Sequence, residues 1–335
     1  MMKSVQYLIT ALTGLALIWA VSCQQSGYRK QPGALTVTDF RGKVINFAEP
    51  PVKIICLIES ALSGFYMLHA GNRIIGISSN VYEEPVYSYY AGLDDRIRNK
   101  TLPAPGNWDF ISIENLVALR PDLVVIWASQ TEAIQSLEGR GIPVYAVMLH
   151  SLNDIYKEIR DLGVLTGAMT RADSLINYTQ HELDALYLKV KQAGLPRRSV
   201  YFMWPKGPLE TSGTQSTVNE LIELAGARNA CMMPQEHIVV NIEKLIEWNP
   251  EVIVMWYDPV RNPEDILKIV GWERIEAIRK NHVFEIPSVF EGDLWTLKFV
   301  NTVKLLNHWC YPELTSAGEV ETSKQKMLKS LYGDR

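Results

Sequence analysis

Two stretches of the chain, ISIENLVALRPDLVVIW (111–127) and VNIEKLIEWNPEVIVMW (240–256), share one pattern. In each, a cap-type residue (Ser112 or Asn241) precedes an Ile-Glu pair, so a glutamate falls in the first helical turn, where the helix dipole favours negative charge. A proline then ends the helix, and an unbroken apolar strand follows and ends in Trp127 or Trp256. The shared pattern indicates one helix-strand unit used twice, in two equivalent lobes.

The α/β pattern extends outward from both units. Short apolar strands are predicted at 52–58, 74–77 and 144–147 in the first half of the chain, and at 200–204 and 283–286 in the second. Strands that alternate with helices predict parallel sheets covered on both faces. Between the halves, 172–191 has the apolar spacing of one long helix, which Gly194 and Pro196 end. We therefore predict an α/β fold of two three-layer lobes with mainly parallel sheets, joined by a single long linking helix, with a ligand cleft between the lobes.

The start of the chain predicts its compartment. Lys3 precedes an apolar run at 7–21 that is too short for a confident membrane span and is typical of a signal peptide. The run closes in Ala20-Val21-Ser22-Cys23, which resembles the bacterial lipobox, so Cys23 is the expected lipid attachment site on the periplasmic side of the cell envelope. An ordinary secretory signal with an incidental cysteine is the alternative. The predicted segments are a lipoprotein signal peptide (1–22), a polar tether (23–36), an N-terminal α/β lobe (37–151), a linking helical segment (152–195), a C-terminal α/β lobe (196–320) and a polar tail (321–335).

Composition and motifs narrow the classes of function. A formal net charge of −4 gives no basis for nucleic-acid binding. Beyond Cys23, the three cysteines Cys56, Cys231 and Cys310 have no metal-ligand or redox spacing, and a disulfide between Cys231 and Cys310 is left open. The sequence contains no phosphate-binding loop, nucleophile elbow or His-Glu-x-x-His motif, so we expect a binding protein without a resident cofactor rather than an enzyme.

Residues just past the strands are the candidates for ligand contact, because ligands of open α/β sheets bind beyond the carboxyl ends of the strands. Many of these residues are aromatic and a few are cationic, a combination that suits flat, ring-bearing or anionic ligands. Asn80, Trp127, Trp256 and the segments 204–207 and 288–291 fall in such positions. The selected ligand-binding candidates are Glu59, Tyr82, Asn107, Trp108, Gln130, Trp204, Lys206, Gln215, Tyr257, Arg261, Phe290 and Trp295.

From Val37 to Leu314 the chain resembles the helical-backbone (class III) solute-binding proteins of ABC importers, which serve ferric siderophores, haem, cobalamin and some oxyanions. Besides the two units, the resemblance rests on VTDFRGKVINF, PPVKIICL, GTQSTVNELIELAGARNA and WERIEAIRKNHVFEIPS, in that order. It implies a monomer with two rigid lobes, a small-molecule ligand, and an ABC permease with its ATPase as partner. It also implies one permease-docking glutamate on each lobe. By position these are Glu132 and Glu264, with Glu138 and Asp265 as neighbouring alternatives.

The identity of the ligand is left open by the sequence. A ferric siderophore or related iron chelate leads, haem or another tetrapyrrole including cobalamin follows, and a molybdate-type oxyanion comes third. The six histidines are scattered, so a carrier of bare metal ions is not expected, and only with haem would Tyr82 and His237 serve as axial ligands. A surface lipoprotein that binds a partner protein is the alternative from another class.

Overall fold

The computed structural model describes residues 35–333. The predicted signal peptide, Cys23 and nearly all of the predicted tether lie outside the described residues. The first element, β1 (Leu35–Thr38), begins two residues before the predicted start of the N-terminal lobe and pairs antiparallel with β2 (Val44–Phe47) as a small hairpin. Gly42 adopts a φ of 82° in the turn, a conformation that favours glycine. None of the helices within 35–333 is both long and apolar enough to cross a membrane.

The N-terminal lobe is built on a four-stranded parallel sheet in the order β4-β3-β5-β6. Its strands are nearly continuous runs of buried residues, as expected for a parallel sheet that is covered on both faces. Two short 3-10 helices lie at Gly71–Arg73 and Ser79–Tyr82. The remaining elements are β3 (Ile54–Cys56), α1 (Glu59–Met67), β4 (Ile74–Ile77), α2 (Val86–Leu93), α3 (Asp95–Arg98), α4 (Ile113–Ala118), β5 (Leu123–Trp127), α5 (Thr131–Glu138) and β6 (Val144–Val147).

Two consecutive helices connect the lobes. The first, α6 (Leu152–Thr166), begins with a capping box formed by Ser151 and Asp154 and ends at Gly167, whose φ is 73°. The second, α7 (Met169–Ala193), is the predicted linking helix and ends at Gly194 in a left-handed conformation. At ~1.5 Å per residue, this helix is about 37 Å long, enough to run along the side of both lobes.

The C-terminal lobe repeats the arrangement with a parallel sheet in the order β12-β11-β7-β9. A two-stranded antiparallel ribbon, β8 with β10, stands beside it. The elements are β7 (Ser199–Met203), β8 (Glu210–Thr211), α8 (Thr217–Leu224), β9 (Arg228–Asn229), β10 (Ile238–Val239), α9 (Ile242–Trp248), β11 (Val252–Met255), α10 (Pro263–Ile266), α11 (Glu276–Arg279), β12 (Val283–Glu285) and α12 (Phe299–Cys310).

The two sequence units occupy equivalent positions in the two lobes. Ser112 accepts a hydrogen bond from the backbone N–H of Asn115 at the start of α4, and Asn241 accepts one from Lys244 at the start of α9. Each of these helices leads into an interior strand of its sheet, β5 in one lobe and β11 in the other. The repeat therefore sets the same helix-strand geometry on both sides of the cleft.

The end of the chain differs from the prediction of a polar tail at 321–335. Residues Ala317–Tyr332 form a sixteen-residue helix, α13, which begins with a capping box formed by Ser316 and Glu319. Val320, Met327 and Leu331 are buried on one face of this helix, against α12 and α1. Most of the other positions carry charged or polar residues, so the segment is polar in composition but amphipathic in structure.

Candidate functional site

The cleft between the lobes encloses a cavity of about 830 Å³. The ends of several parallel strands and the loops that follow them form its walls, as expected for a ligand site in an open α/β fold. Four of the predicted ligand-binding residues line it, namely Glu59, Trp108, Phe290 and Trp295, together with Asn80, Trp127 and Trp256 from the strand ends. Lining residues that were not predicted are Ser60, Glu83, Glu84, Pro85, Val86, Tyr90 and Asp293.

Tryptophans from both lobes form the aromatic walls of the cleft. Trp127 ends β5 in the N-terminal lobe, and Trp256 follows β11 in the C-terminal lobe, so the repeat places one tryptophan on each side. Trp256 packs edge-on against Trp295, with ring centroids 5.9 Å apart. Trp108 stands on a loop of the N-terminal lobe and is 61% exposed. A flat ligand can therefore be held between apolar ring faces of opposite lobes.

Trp204 lies behind the wall rather than on it, which corrects its prediction as a contact residue. Only 8% of this residue is exposed, and its indole N–H donates a hydrogen bond of 2.8 Å to the Ser212 hydroxyl. Its ring stacks on Trp295 at 6.1 Å and packs against Trp256 at 5.9 Å. Trp204 thus supports the two tryptophans that face the cavity.

Among the residues that the structure describes, carboxylates line the cavity wall but no lysine or arginine does, which corrects the prediction of a mildly cationic cleft. Glu59 accepts a hydrogen bond of 2.9 Å from the Ser78 hydroxyl, and burial raises the pKa of the Glu59 carboxyl. Burial also raises the pKa of Asp293, although the Lys298 ammonium, 3.7 Å away, acts in the opposite direction. Lys298 is itself buried behind the wall, with its ammonium 3.5 Å from the centroid of the Phe290 ring.

The two predicted cations lie outside the cavity wall. Lys206 is exposed to solvent. Arg261 pairs with Asp258 at 2.8 Å and donates a second hydrogen bond to the Pro205 carbonyl. Because its guanidinium is engaged in this loop, Arg261 stabilises the local backbone instead of presenting charge to a ligand.

Several other predicted ligand contacts have structural roles. Tyr82 donates its hydroxyl hydrogen bond to the Leu102 carbonyl at 2.8 Å. Asn107 donates to the side chains of Ser79 and Asn80, and Gln130 donates to the carbonyls of Asn107 and Trp108. These amides hold the loop that carries Trp108, so they position the wall of the cavity. Tyr257 and Gln215 do not line it; Gln215 lies in a separate cavity of about 580 Å³, with His150 and Glu236.

In the described part of the chain, the side chains are not arranged to bind a metal ion or to ligate haem in the cavity. Within residues 35–333, no group of three or more His, Cys, Asp or Glu side chains is arranged to hold a metal ion. Neither Tyr82 nor His237 lines the cavity, and His237 packs on Trp204 with ring centroids 5.1 Å apart. Cys56, Cys231 and Cys310 are buried and free, so the disulfide between Cys231 and Cys310 does not form in this structure.

Both predicted docking glutamates are exposed in the first turn of a helix, Glu132 on α5 and Glu264 on α10. Their neighbouring alternatives are engaged within the fold. Glu138 pairs with Arg41 and Lys43 at 2.8 Å, and Asp265 closes a capping box with Asn262. Glu132 also borders a surface depression that Trp108 and Phe110 line, and Phe110 is 68% exposed. The geometry therefore favours Glu132 and Glu264 over these neighbours for contact with another protein.

Two equivalent α/β lobes, a helical connection and an aromatic cleft between sheet edges are the features expected of a solute-binding protein. The family model of periplasmic binding proteins matches residues 54–290, and the chain belongs to that family. Over 290 residues it is 25% identical to the uncharacterized ABC transporter substrate-binding lipoprotein YvrC of Bacillus subtilis, a match that covers 83% of this chain and 86% of YvrC.

Two further relatives have names that specify a ligand. The molybdate-binding protein MolA of Haemophilus influenzae is 24% identical over 325 residues, covering 88% of this chain and 89% of MolA. A solved structure of MolA bound to molybdate superposes with a TM-score of 0.75 at 21% identity, covering 89% of this chain and 98% of that one. The vitamin B12-binding protein of Vibrio parahaemolyticus is 25% identical over 248 residues, covering 72% of this chain and 82% of that protein. The chain is thus a substrate-binding protein of an ABC importer, a carrier and not an enzyme, with a small-molecule ligand and a membrane permease as partners.

Proposed function

We propose that the cargo is an uncharged, ring-bearing metal chelate, and that a corrinoid of the cobalamin type is the first candidate. The observation that carries this proposal is the composition of the cavity wall. Four tryptophans, Trp108, Trp127, Trp256 and Trp295, contribute from both lobes. Within residues 35–333, neither lysine nor arginine lines the cavity. Aromatic faces bind large ring systems through apolar contact and stacking, without a requirement for charge.

The charge of the wall separates the candidate ligands. Molybdate and ferric catecholates are anions, and Glu59 and Asp293 line the cavity. The Lys298 ammonium is buried behind the wall, where it pairs with Asp293 at 3.7 Å, so an anion in the cavity would lose hydration for little cationic contact. A corrinoid bears amide groups, which donate hydrogen bonds to carboxylates. The expectation of an iron chelate is therefore retained only for uncharged complexes of the hydroxamate type, which satisfy the same charge criterion. Among the relatives, the vitamin B12-binding protein agrees with the proposed ligand class and MolA does not.

Delivery to the membrane completes the proposal. Lipid on Cys23 would hold the protein at the membrane surface, in agreement with the sequence ahead of that cysteine and with the name of YvrC. Glu132 and Glu264, one on each lobe, would meet cationic groups of the permease. Both lobes would then contact the transporter at once, with the loaded cleft between the two contacts.

Ligand titration of residues 25–335 tests the proposed cargo. Cyanocobalamin, a ferric hydroxamate, a ferric catecholate, haemin and molybdate are added separately, and binding is followed by tryptophan quenching and visible spectra. We expect cyanocobalamin to bind with a dissociation constant of about 1 µM or below, equivalent to ~8 kcal/mol. Binding of molybdate or the catecholate without binding of cyanocobalamin would overturn the proposal. If the ferric hydroxamate alone binds, the cargo is the second candidate, an uncharged iron chelate.

A further inference from the structure

The C-terminal helix α13 makes a second crossing between the lobes, separate from the linking helices. It begins at Ala317, after α12 of the C-terminal lobe, and its far end lies against α1 of the N-terminal lobe. There the Tyr332 hydroxyl lies 2.5 Å from the Ser63 hydroxyl. Arg171 of α7 donates hydrogen bonds to the carbonyls of Ser330 and Leu331, at 3.3 and 2.9 Å. Polar contacts thus fix the final turn of α13 to α1 of the N-terminal lobe and to the linking helix α7.

The same helix touches the loop that carries a wall residue of the cleft. The Tyr332 ring stacks on Phe290, with centroids 5.8 Å apart and planes 26° apart. Two turns earlier on α13, the Lys324 ammonium pairs with the neighbouring Glu291 at 3.1 Å. Because both contacts fall on adjacent residues of one loop, α13 helps to hold Phe290 in the cleft, together with the stacking of Phe290 on Tyr89.

We propose that α13 is a strap that fixes the angle between the lobes, and that Tyr332 is a positioning residue for the ligand cleft through Phe290. Lobes joined by only one connection are expected to move relative to each other. A second connection, anchored on α1 and on the Phe290 loop, restricts that motion before any ligand arrives. A pre-formed cleft loses less conformational freedom on binding, which favours affinity. The strap acts in this way whatever the ligand is, so the inference does not depend on the proposed cargo.

Distance measurements between spin labels test the strap without any ligand. Gln135 on α5 and Lys268, which follows α10, are exposed and belong to opposite lobes. Each is replaced by cysteine and labelled in residues 25–335. Cys56, Cys231 and Cys310 are buried, so labelling is expected at the introduced sites. In the otherwise unaltered protein, we expect one narrow distance distribution.

The decisive variant is Tyr332→Ala, with Val320→Ala as the matched control because it removes a buried side chain from the first turn of the same helix, far from α1. We expect Tyr332→Ala to broaden the distribution and shift its mean, and Val320→Ala to leave it narrow. Lys324→Ala removes the ion pair with Glu291 and keeps the contact of Tyr332 with Phe290, so it is expected to broaden the distribution less. If Tyr332→Ala does not fold, Lys324→Ala provides the test. The proposal is overturned if the folded variants at Tyr332 and Lys324 keep the narrow distribution, or if Val320→Ala broadens it equally.

Discussion

The rings of Tyr89 and Phe290 stack across the junction of the lobes, with centroids 4.6 Å apart and planes 8° apart. Tyr89 belongs to α2 of the N-terminal lobe, and Phe290 follows β12 of the C-terminal lobe. The Ser288 hydroxyl donates a hydrogen bond of 2.9 Å to the Tyr89 oxygen. This hydrogen bond is a second link between α2 and the loop that carries Phe290. One aromatic pair thus joins the lobes beside the ligand cavity.

A double-mutant cycle on Tyr89→Ala and Phe290→Ala measures this contact. Stacked pairs contribute about 0.5–1.5 kcal/mol beyond their buried area, so we expect a coupling of that size in the free energy of urea unfolding. The control cycle pairs Tyr89→Ala with Trp309→Ala, because Trp309 stacks on Phe284 inside the C-terminal lobe. If the changes in the free energy of unfolding for Tyr89→Ala and Phe290→Ala simply add in the double variant, the stack does not couple the lobes.

The tryptophans at the strand ends are expected to account for much of the ligand affinity. Trp127→Ala and Trp256→Ala should each weaken cyanocobalamin binding about tenfold or more, ~1.4 kcal/mol, because each removes a large ring face from the cavity wall. Trp309→Ala removes the same kind of side chain away from the cavity and should leave the dissociation constant unchanged. Equal losses in all three variants would indicate a general effect on folding instead of direct contact with the ligand.

The two lobes and the positions of these two tryptophans could be predicted from the sequence, because both follow from the periodic pattern of apolar residues. The caps at Ser112 and Asn241, the prolines and the apolar strands determine where each strand ends, and therefore where Trp127 and Trp256 stand. Arg261 also lies close after a strand, but strand position does not fix the direction of a long side chain. Its guanidinium turns to Asp258, a contact that only the folded loop creates.

Two further features could not be predicted because they depend on tertiary contacts. Asp293 lies in an irregular turn, where the Gly292 N–H donates to the Ser288 carbonyl, and no sequence period indicates that this turn faces the cavity. In α13 the buried residues Val320, Met327 and Leu331 are widely spaced among charged ones. Such a weak apolar stripe is compatible with a solvated tail until a neighbouring surface is known.

The docking glutamates can be tested separately from ligand capture. Combined Glu132→Ala and Glu264→Ala should abolish uptake of the cargo by cells, while the purified variant keeps its ligand affinity, because both side chains are exposed away from the cavity wall. Glu114 and Glu243 provide the matched control, since they are also exposed in the first turn of a helix, one in each lobe. Combined Glu114→Ala and Glu243→Ala should leave uptake intact. Loss of affinity in the docking variant would contradict the assignment.

A buried carboxyl near the lobe junction makes stability depend on pH. Glu158 on α6 is 1% exposed, and its Oε1 has no hydrogen-bond partner within the part of the chain that the structure describes. Burial raises the pKa of Glu158 to about 8, and the charges of Asp293 and Asp161 act in the same direction, whereas Lys157 opposes them. The folded protein therefore holds a proton at Glu158 that the unfolded chain releases near pH 4.5.

The contribution of Glu158 to the free energy of unfolding should consequently fall as pH rises between about 4.5 and 8, because over this range the unfolded state binds fewer protons at this site. The slope from one such group reaches at most ~1.4 kcal/mol per pH unit. Glu158→Gln cannot ionise, so it should reduce the slope and increase the free energy of unfolding at pH 8 relative to the unaltered protein. Urea unfolding at pH 5, 6.5 and 8 measures both quantities, with exposed Glu114→Gln as the control. An unchanged slope in Glu158→Gln would show that Glu158 is already ionised in the folded protein at neutral pH.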